Sequence, residues 1–163
     1  MESRLRLSIH DPENLLGGAD IAKGQTVLEV GCGTGFFSLS AARIIGDTGH
    51  LICLDPVAGY VERVKEKLIN AGLSNVEVLR RDALETGLDS ESVDTALLYG
   101  VLPFPTLPLD RLLPEMHRVL KPEGLLAVWL FPVSFGVPKK ILASGLFRDN
   151  GKKNGVFRFL KSV

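Results

Sequence analysis

Cysteine is scarce in this chain, with two among 163 residues. Cys32 and Cys53 are too few for a disulfide framework and lack any metal-ligand spacing, so both read as small core residues and no metal is expected. No apolar run reaches the roughly 20 residues that a bilayer-spanning helix requires. The opening stretch, MESRLRLSIHDPE, lacks the hydrophobic centre of a signal peptide, and the reading is a cytoplasmic protein with no membrane partner. Internal repeats, low-complexity tracts and linkers are also missing, which leaves residues 1–163 as one domain. At that length, close to 70% of the unfolded chain's surface can be buried. Its expected parts are an N-terminal segment and helix over 1–24, a binding core over 25–130, and a helix with a terminal hairpin over 131–163.

Net charge is also absent, with 19 Lys and Arg against 19 Asp and Glu, yet the balance hides a division. Through Val137 the chain holds 12 basic and 18 acidic residues, whereas Pro138 to Val163 holds seven basic residues and one acid, Asp149. A basic segment of this kind can attract an acidic substrate or a nucleic-acid backbone, or it can be a solvated helix face and hairpin tip. The aromatic interleaving that stacks bases is missing among Lys139, Lys140, Lys152 and Lys153.

What is present is concentrated in residues 27–35, VLEVGCGTG, an apolar strand running into a glycine turn and then a helical pattern from Phe36 to Ile45. Such a strand, turn and helix is the first βα step of a doubly wound sheet. Asp55 closes a second apolar run 20 residues beyond Gly35, where a carboxylate can accept hydrogen bonds from both hydroxyls of a ribose. The spacing is Gly-x-Gly-x-Gly rather than the Gly-x-Gly-x-x-Gly of a pyrophosphate cradle, and Glu29 precedes it by two residues. A carboxylate there repels a pyrophosphate and attracts a cationic amine. The ligand implied has a ribose, no phosphate and positive charge near the loop.

Further short apolar runs at Leu51–Leu54, Val76–Leu79, Thr95–Leu98 and Leu125–Leu130 alternate with helical patterns, notably Val57–Ala71 and Leu109–Leu120. Five strands separated by helices imply a parallel sheet. After Trp129, Val137–Ser144 reads as a helix, and Leu146–Arg148 and Val156–Leu160 read as strands joined by a loop over 149–155.

Four blocks together resemble a class I methyltransferase dependent on S-adenosylmethionine, similar to the small-molecule type that includes the ubiquinone-biosynthesis enzymes. They are VLEVGCGTG at 27–35, LICLDPVAGYVERVKEKL at 51–68, RRDALETGLDSESVDTALLYGVL at 80–102 and LLPEMHRVLKPEGLLAVW at 112–129. One departure is Glu123, which stands where the family's RVLKPGG signature has glycine. The resemblance implies an α/β, doubly wound, Rossmann-like fold with a mostly parallel seven-stranded sheet of order 3-2-1-4-5-7-6 and an antiparallel last strand.

The same resemblance implies roles at the matching positions. Glu29 meets the methionine ammonium, with Gly31, Cys32 and Gly33 offering main-chain groups to the cofactor. Asp55 binds the ribose diol, while Pro56 and Val57 wall the adenine slot. Asp82 and Ala83 meet the adenine edge, and Tyr99 and Gly100 lie beneath the sulfonium. The product is S-adenosylhomocysteine.

The acceptor is not specified by these motifs. His10 is the one histidine placed to serve as a base, since the segment before the first strand folds over the cofactor in this family; a surface role for His10 is the alternative. Only about half a dozen residues separate the fifth strand from the next helix, too few for a covering insertion. Either the acceptor site is open to a bulky partner, or another subunit of a homo-oligomer completes it, or Met1–Leu16 closes over it. The leading reading is methyl transfer to a small molecule; the alternatives are an RNA or protein methyltransferase and a non-catalytic S-adenosylmethionine-binding partner protein.

Overall fold

A computed structural model describes residues 11–131 and 135–163. Seven strands form one sheet: β1 (Thr26–Val30), β2 (His50–Asp55), β3 (Val76–Arg80), β4 (Val93–Tyr99), β5 (Leu120–Trp129), β6 (Phe147–Lys153) and β7 (Val156–Lys161). Their order is β3-β2-β1-β4-β5-β7-β6, as expected from the resemblance. Strands β1 to β5 pair in parallel, and β7 runs antiparallel to both of its neighbours.

Alternation along each strand splits the core into two layers. Val27, Leu51, Cys53, Leu97, Tyr99, Ala127 and Trp129 face α1 (Pro12–Gly18), α2 (Ser38–Ile45) and α3 (Ala58–Asn70). Leu28, Val30, Ile52, Leu54, Ala96, Leu98 and Val128 face α4 (Leu109–Val119) and α5 (Val137–Ala143). The helices meet the sheet through the stripes their periodicity predicts: Ala41, Ala42 and Ile45 on α2, and Val61, Val64 and Leu68 on α3. By parity with Val27, Glu29 belongs to the α1–α3 layer although it is charged.

Several boundaries differ from the sequence reading. The sixth and seventh strands are longer than predicted, and the turn between them narrows to Asn154-Gly155, both with left-handed φ (51° and 81°). That two-residue turn matches the twist of an antiparallel pair, so the polar residues 149–153 extend the strand instead of looping out. β5 begins at Leu120, directly after α4, and bends at Glu123, whose φ is 62°. Because glycine adopts that conformation without a Cβ penalty, its usual presence there has a backbone cause.

The basic C-terminal segment is largely neutralised by the acidic body. Lys153 and Arg158 both pair with Asp20, Arg148 with Glu123 and Lys161 with Glu91. The two Asp20 pairs, together with Asn154 Nδ2 donating to Asn14 O at 2.9 Å, fasten the hairpin across α1. Asp20 follows α1, and its two carboxylate oxygens hold two hairpin cations, which ties residues separated by more than 130 positions.

Candidate active site

The predicted residues of the first two motifs converge at the carboxyl edge of the sheet, where open α/β sheets bind ligands. β1 ends at Val30, and the amides of Gly31 and Cys32 both donate to Leu54 O of β2, at 2.8 and 3.1 Å. This turns the chain sharply across the strand ends. Gly31, Gly33 and Gly35 all have left-handed φ. A Cβ on Gly31 would lie 2.6 Å from Val101 Cγ1, whereas one on Gly33 would meet no protein atom within 4 Å. Gly31 is thus required by packing, and the space over Gly33 is open to a ligand.

Asp55 does more than its position suggested. Its Oδ2 accepts from Gly33 N at 3.0 Å and its Oδ1 from Val57 N at 2.9 Å, so one buried carboxylate staples the glycine loop to the start of α3. Each oxygen keeps a second lone pair for another donor. Lys67 of α3 reaches back so that Nζ donates to Thr34 O at 2.6 Å and braces the same loop. Its long stem allows this while α3 keeps its apolar stripe inward.

Glu29 is 3% exposed. Its Oε2 accepts from Ser38 Oγ at 2.6 Å and from Cys53 Sγ at 3.4 Å. Burial pushes its carboxyl up from 4.5 to about 7, opposed by these two hydrogen bonds and assisted by the nearby Asp55 charge. The site therefore holds a carboxyl poised to ionise near neutrality, and a cation placed beside it favours the ionised form. The Cys53 thiol is raised well above its ordinary value by its hydrogen bond with Cys32 and by burial, so it stays protonated and donates. Ser38 was not singled out from the sequence; a serine at the first residue of a helix has no mark that distinguishes a cap from a carboxylate partner.

The remaining predicted positions vary in character. Pro56 and Val57 are exposed beside Asp55, Val57 with 49% of its surface open. Asp82 is exposed, and its Oδ1 accepts from Leu84 N at 2.9 Å, while Ala83 is buried in the α4–α5 layer. Gly100, with φ of 70°, donates from its amide to Trp129 O at 2.9 Å and turns the chain away from β4. Tyr99 is buried, with its hydroxyl donating to Leu15 O at 2.6 Å, so its polar end anchors α1. Its ring packs edge-on against Phe37 at 5.1 Å, and Phe37 meets Trp129 at 5.9 Å, giving the site an aromatic floor. His10 lies outside the described residues. Among the described residues there is no cluster of three metal-ligating side chains, and no helix is long and apolar enough to cross a membrane.

A family model described as a methyltransferase domain matches residues 27–124. The demethylmenaquinone methyltransferase of Listeria monocytogenes is 37% identical over 108 residues, covering 66% of this chain and 45% of that protein. The ubiquinone/menaquinone biosynthesis C-methyltransferase of Haemophilus ducreyi is 34% identical over 112 residues, covering 68% and 43%. This chain thus spans less than half the length of these curated relatives. A crystal structure of a SAM dependent methyltransferase from Aquifex aeolicus is similar over 98% of this chain and 93% of that one, with a TM-score of 0.79 and 26% identity.

Proposed function

This chain belongs to the methyltransferase-domain family, and from that premise we propose that it binds S-adenosylmethionine and transfers its methyl group to a small-molecule acceptor, leaving S-adenosylhomocysteine. The observation that carries this reading is the open space over Gly33, whose amide donates to the buried Asp55 carboxylate, in a loop preceded by the buried carboxyl of Glu29. Glu29, with Oε2 held by Ser38 and Cys53, serves the ammonium of the methionine part. Asp55 serves the ribose diol through the lone pairs its two amide donors leave free. Pro56 and Val57 border the adenine, with Asp82 and Ala83 at its edge; Gly31, Cys32 and Gly33 line the methionine part, and Tyr99 and Gly100 underlie the sulfur. This donor set suits a cationic, ribose-bearing molecule without phosphate.

When bound, the donor supplies a methyl group already activated by its sulfonium. The protein's remaining task is alignment of the acceptor nucleophile opposite the departing sulfur, for which the aromatic floor of Phe37, Tyr99 and Trp129 provides a rigid base. The new bond forms to the acceptor atom, and the electrons of the broken bond remain on sulfur as a neutral thioether. The quinone-ring acceptors named for the bacterial relatives favour a small aromatic acceptor here.

Titration calorimetry with S-adenosylmethionine and, separately, NAD tests the donor assignment. Binding of the former alone is the expected result, and selective NAD binding overturns it. Turnover across a panel of phenolic and quinol acceptors then tests transfer. Tight donor binding with no transfer to any acceptor, RNA and protein included, would instead favour a non-catalytic partner protein.

A further inference from the structure

The loops beside the donor cradle are devoid of charge and rich in exposed aromatic surface. Residues 100–109 read GVLPFPTLPL and residues 130–138 read LFPVSFGVP. β4 and β5 are adjacent and parallel, so both loops leave the same edge of the sheet. Phe104 on the first is 53% exposed, and Phe131 and Phe135 on the second are 45% and 70% exposed. Phe131 stacks on Trp129 at 5.6 Å and 11°, which fixes one ring of this rim against the aromatic floor. Large apolar side chains gathered at one edge mark a contact surface rather than random exposure.

Charge says what the surface meets. From Phe131 to Arg148 the sequence contains no carboxylate, and its only cations before Arg148 are Lys139 and Lys140, exposed on α5, which begins two residues beyond Phe135. Elsewhere in the C-terminal segment Arg148, Lys153, Arg158 and Lys161 are engaged by carboxylates of the body, and Lys152 on the hairpin lies over the Phe157 ring at 4.5 Å. The two α5 lysines therefore form a local positive site at an aromatic rim, on a molecule whose first 137 residues carry an excess of acid. An anionic surface attracts the rim and repels the rest, which orients the protein.

We propose that this rim docks on an anionic lipid bilayer, with Phe104, Phe131 and Phe135 entering the headgroup boundary and Lys139 and Lys140 meeting lipid phosphates. Rings of this kind bury into the acyl boundary, and nearby lysines add attraction that salt weakens. Docking at this edge turns the acceptor side of the cleft toward the membrane, a consequence that rests on the methyltransferase reading, whereas docking itself does not. It departs from the expectation of no membrane partner, which rests on the lack of spanning segments in the sequence. It requires no bilayer-crossing helix.

The test is flotation of the full chain with vesicles of phosphatidylcholine alone and of equal parts phosphatidylcholine and phosphatidylglycerol. Binding to the anionic vesicles that declines with added salt is expected. The double change K139E/K140E should weaken partitioning about tenfold or more, and F135S and F104S should each weaken it severalfold. Calorimetry with S-adenosylmethionine on the same proteins controls for folding and separates failure of docking from failure of the donor assignment. Absence of vesicle binding, equal binding to both compositions, or undiminished binding by K139E/K140E overturns the proposal. So does a concentration-dependent dimer that F135S dissolves without any vesicle binding, which would assign the rim to a second copy.

Discussion

Ser38 Oγ donates a 2.6 Å hydrogen bond to Glu29 Oε2, and both side chains are buried. The pair joins the end of β1 to the first residue of α2 across the glycine loop, and it holds one oxygen of the carboxylate while leaving the other for a ligand. Ser38→Ala removes a bond that favours the ionised form, so the Glu29 carboxyl should rise further. Donor affinity near neutrality should fall by about 1–2 kcal/mol. The deficit should widen below pH 7 and narrow above it, and Ser38→Thr should restore part of it. Calorimetry over a pH series checks this; a deficit independent of pH would leave Ser38 as a packing residue only.

Glu29 also makes stability depend on pH. Its folded-state carboxyl lies at about 7, above its ordinary 4.5, so between those values the folded protein binds more protons than the unfolded chain. Stability from this group is full below pH 4.5 and declines as pH rises to about 7, by roughly 3 kcal/mol in all. Glu115 acts in the opposite sense. Its bonds from Arg118, and then from Thr86, hold it at about 2, so its contribution is present above 4.5 and lost as pH falls toward 2. Urea unfolding of the ligand-free protein should lose the neutral-side slope in Glu29→Gln and the acid-side slope in Glu115→Gln.

Asp55→Ala should weaken donor binding by about 1–3 kcal/mol and should also lower the melting temperature, because Gly33 N and Val57 N both lose their acceptor. Asp55→Asn, whose carbonyl oxygen can keep one amide, should fall between the two. A variant that binds the donor normally would remove Asp55 from the site.

Gly31→Ala and Gly33→Ala should separate packing from binding. Both positions have left-handed φ, a strain of about 1–2 kcal/mol for any side chain. Only at Gly31 does the added methyl meet protein, at Val101, so Gly31→Ala should lose a further ~1–3 kcal/mol, recovered in part by Val101→Ala. Gly33→Ala should fold with the smaller penalty yet bind the donor at least tenfold more weakly, about 1.4 kcal/mol. Unfolding curves and calorimetry on the same samples decide the matter.

At Glu123 two small effects oppose one another. Its φ of 62° costs a non-glycine residue about 1–2 kcal/mol, and its exposed pair with Arg148 returns roughly 0–1 kcal/mol. Glu123→Gly should therefore match or exceed the parent protein in stability, while Glu123→Ala, which keeps the strain and loses the pair, should fall below it. The reverse order in urea midpoints would show that the ion pair dominates.

The sequence alone specified the alternation of strands and helices and the parallel pairing it implies, and its resemblance to a family supplied the full strand order. Alternating apolar runs and helical stripes act locally, and the right-handed crossovers they impose leave few ways to stack them. Glu29, the glycine turn and Asp55 were legible for the same reason, since each sits at a strand end whose place in the edge follows from topology. Tertiary structure alone decided what these groups touch. That Ser38 and Cys53 hold Glu29, that Lys67 turns back to Thr34, that Tyr99 points its hydroxyl at α1 and that Asp20 takes two hairpin cations are meetings between residues 9 to 138 positions apart. Side-chain periodicity fixes a residue's face but not its partner, and burial, which raises Glu29 toward neutrality, exists only once the layers close over it.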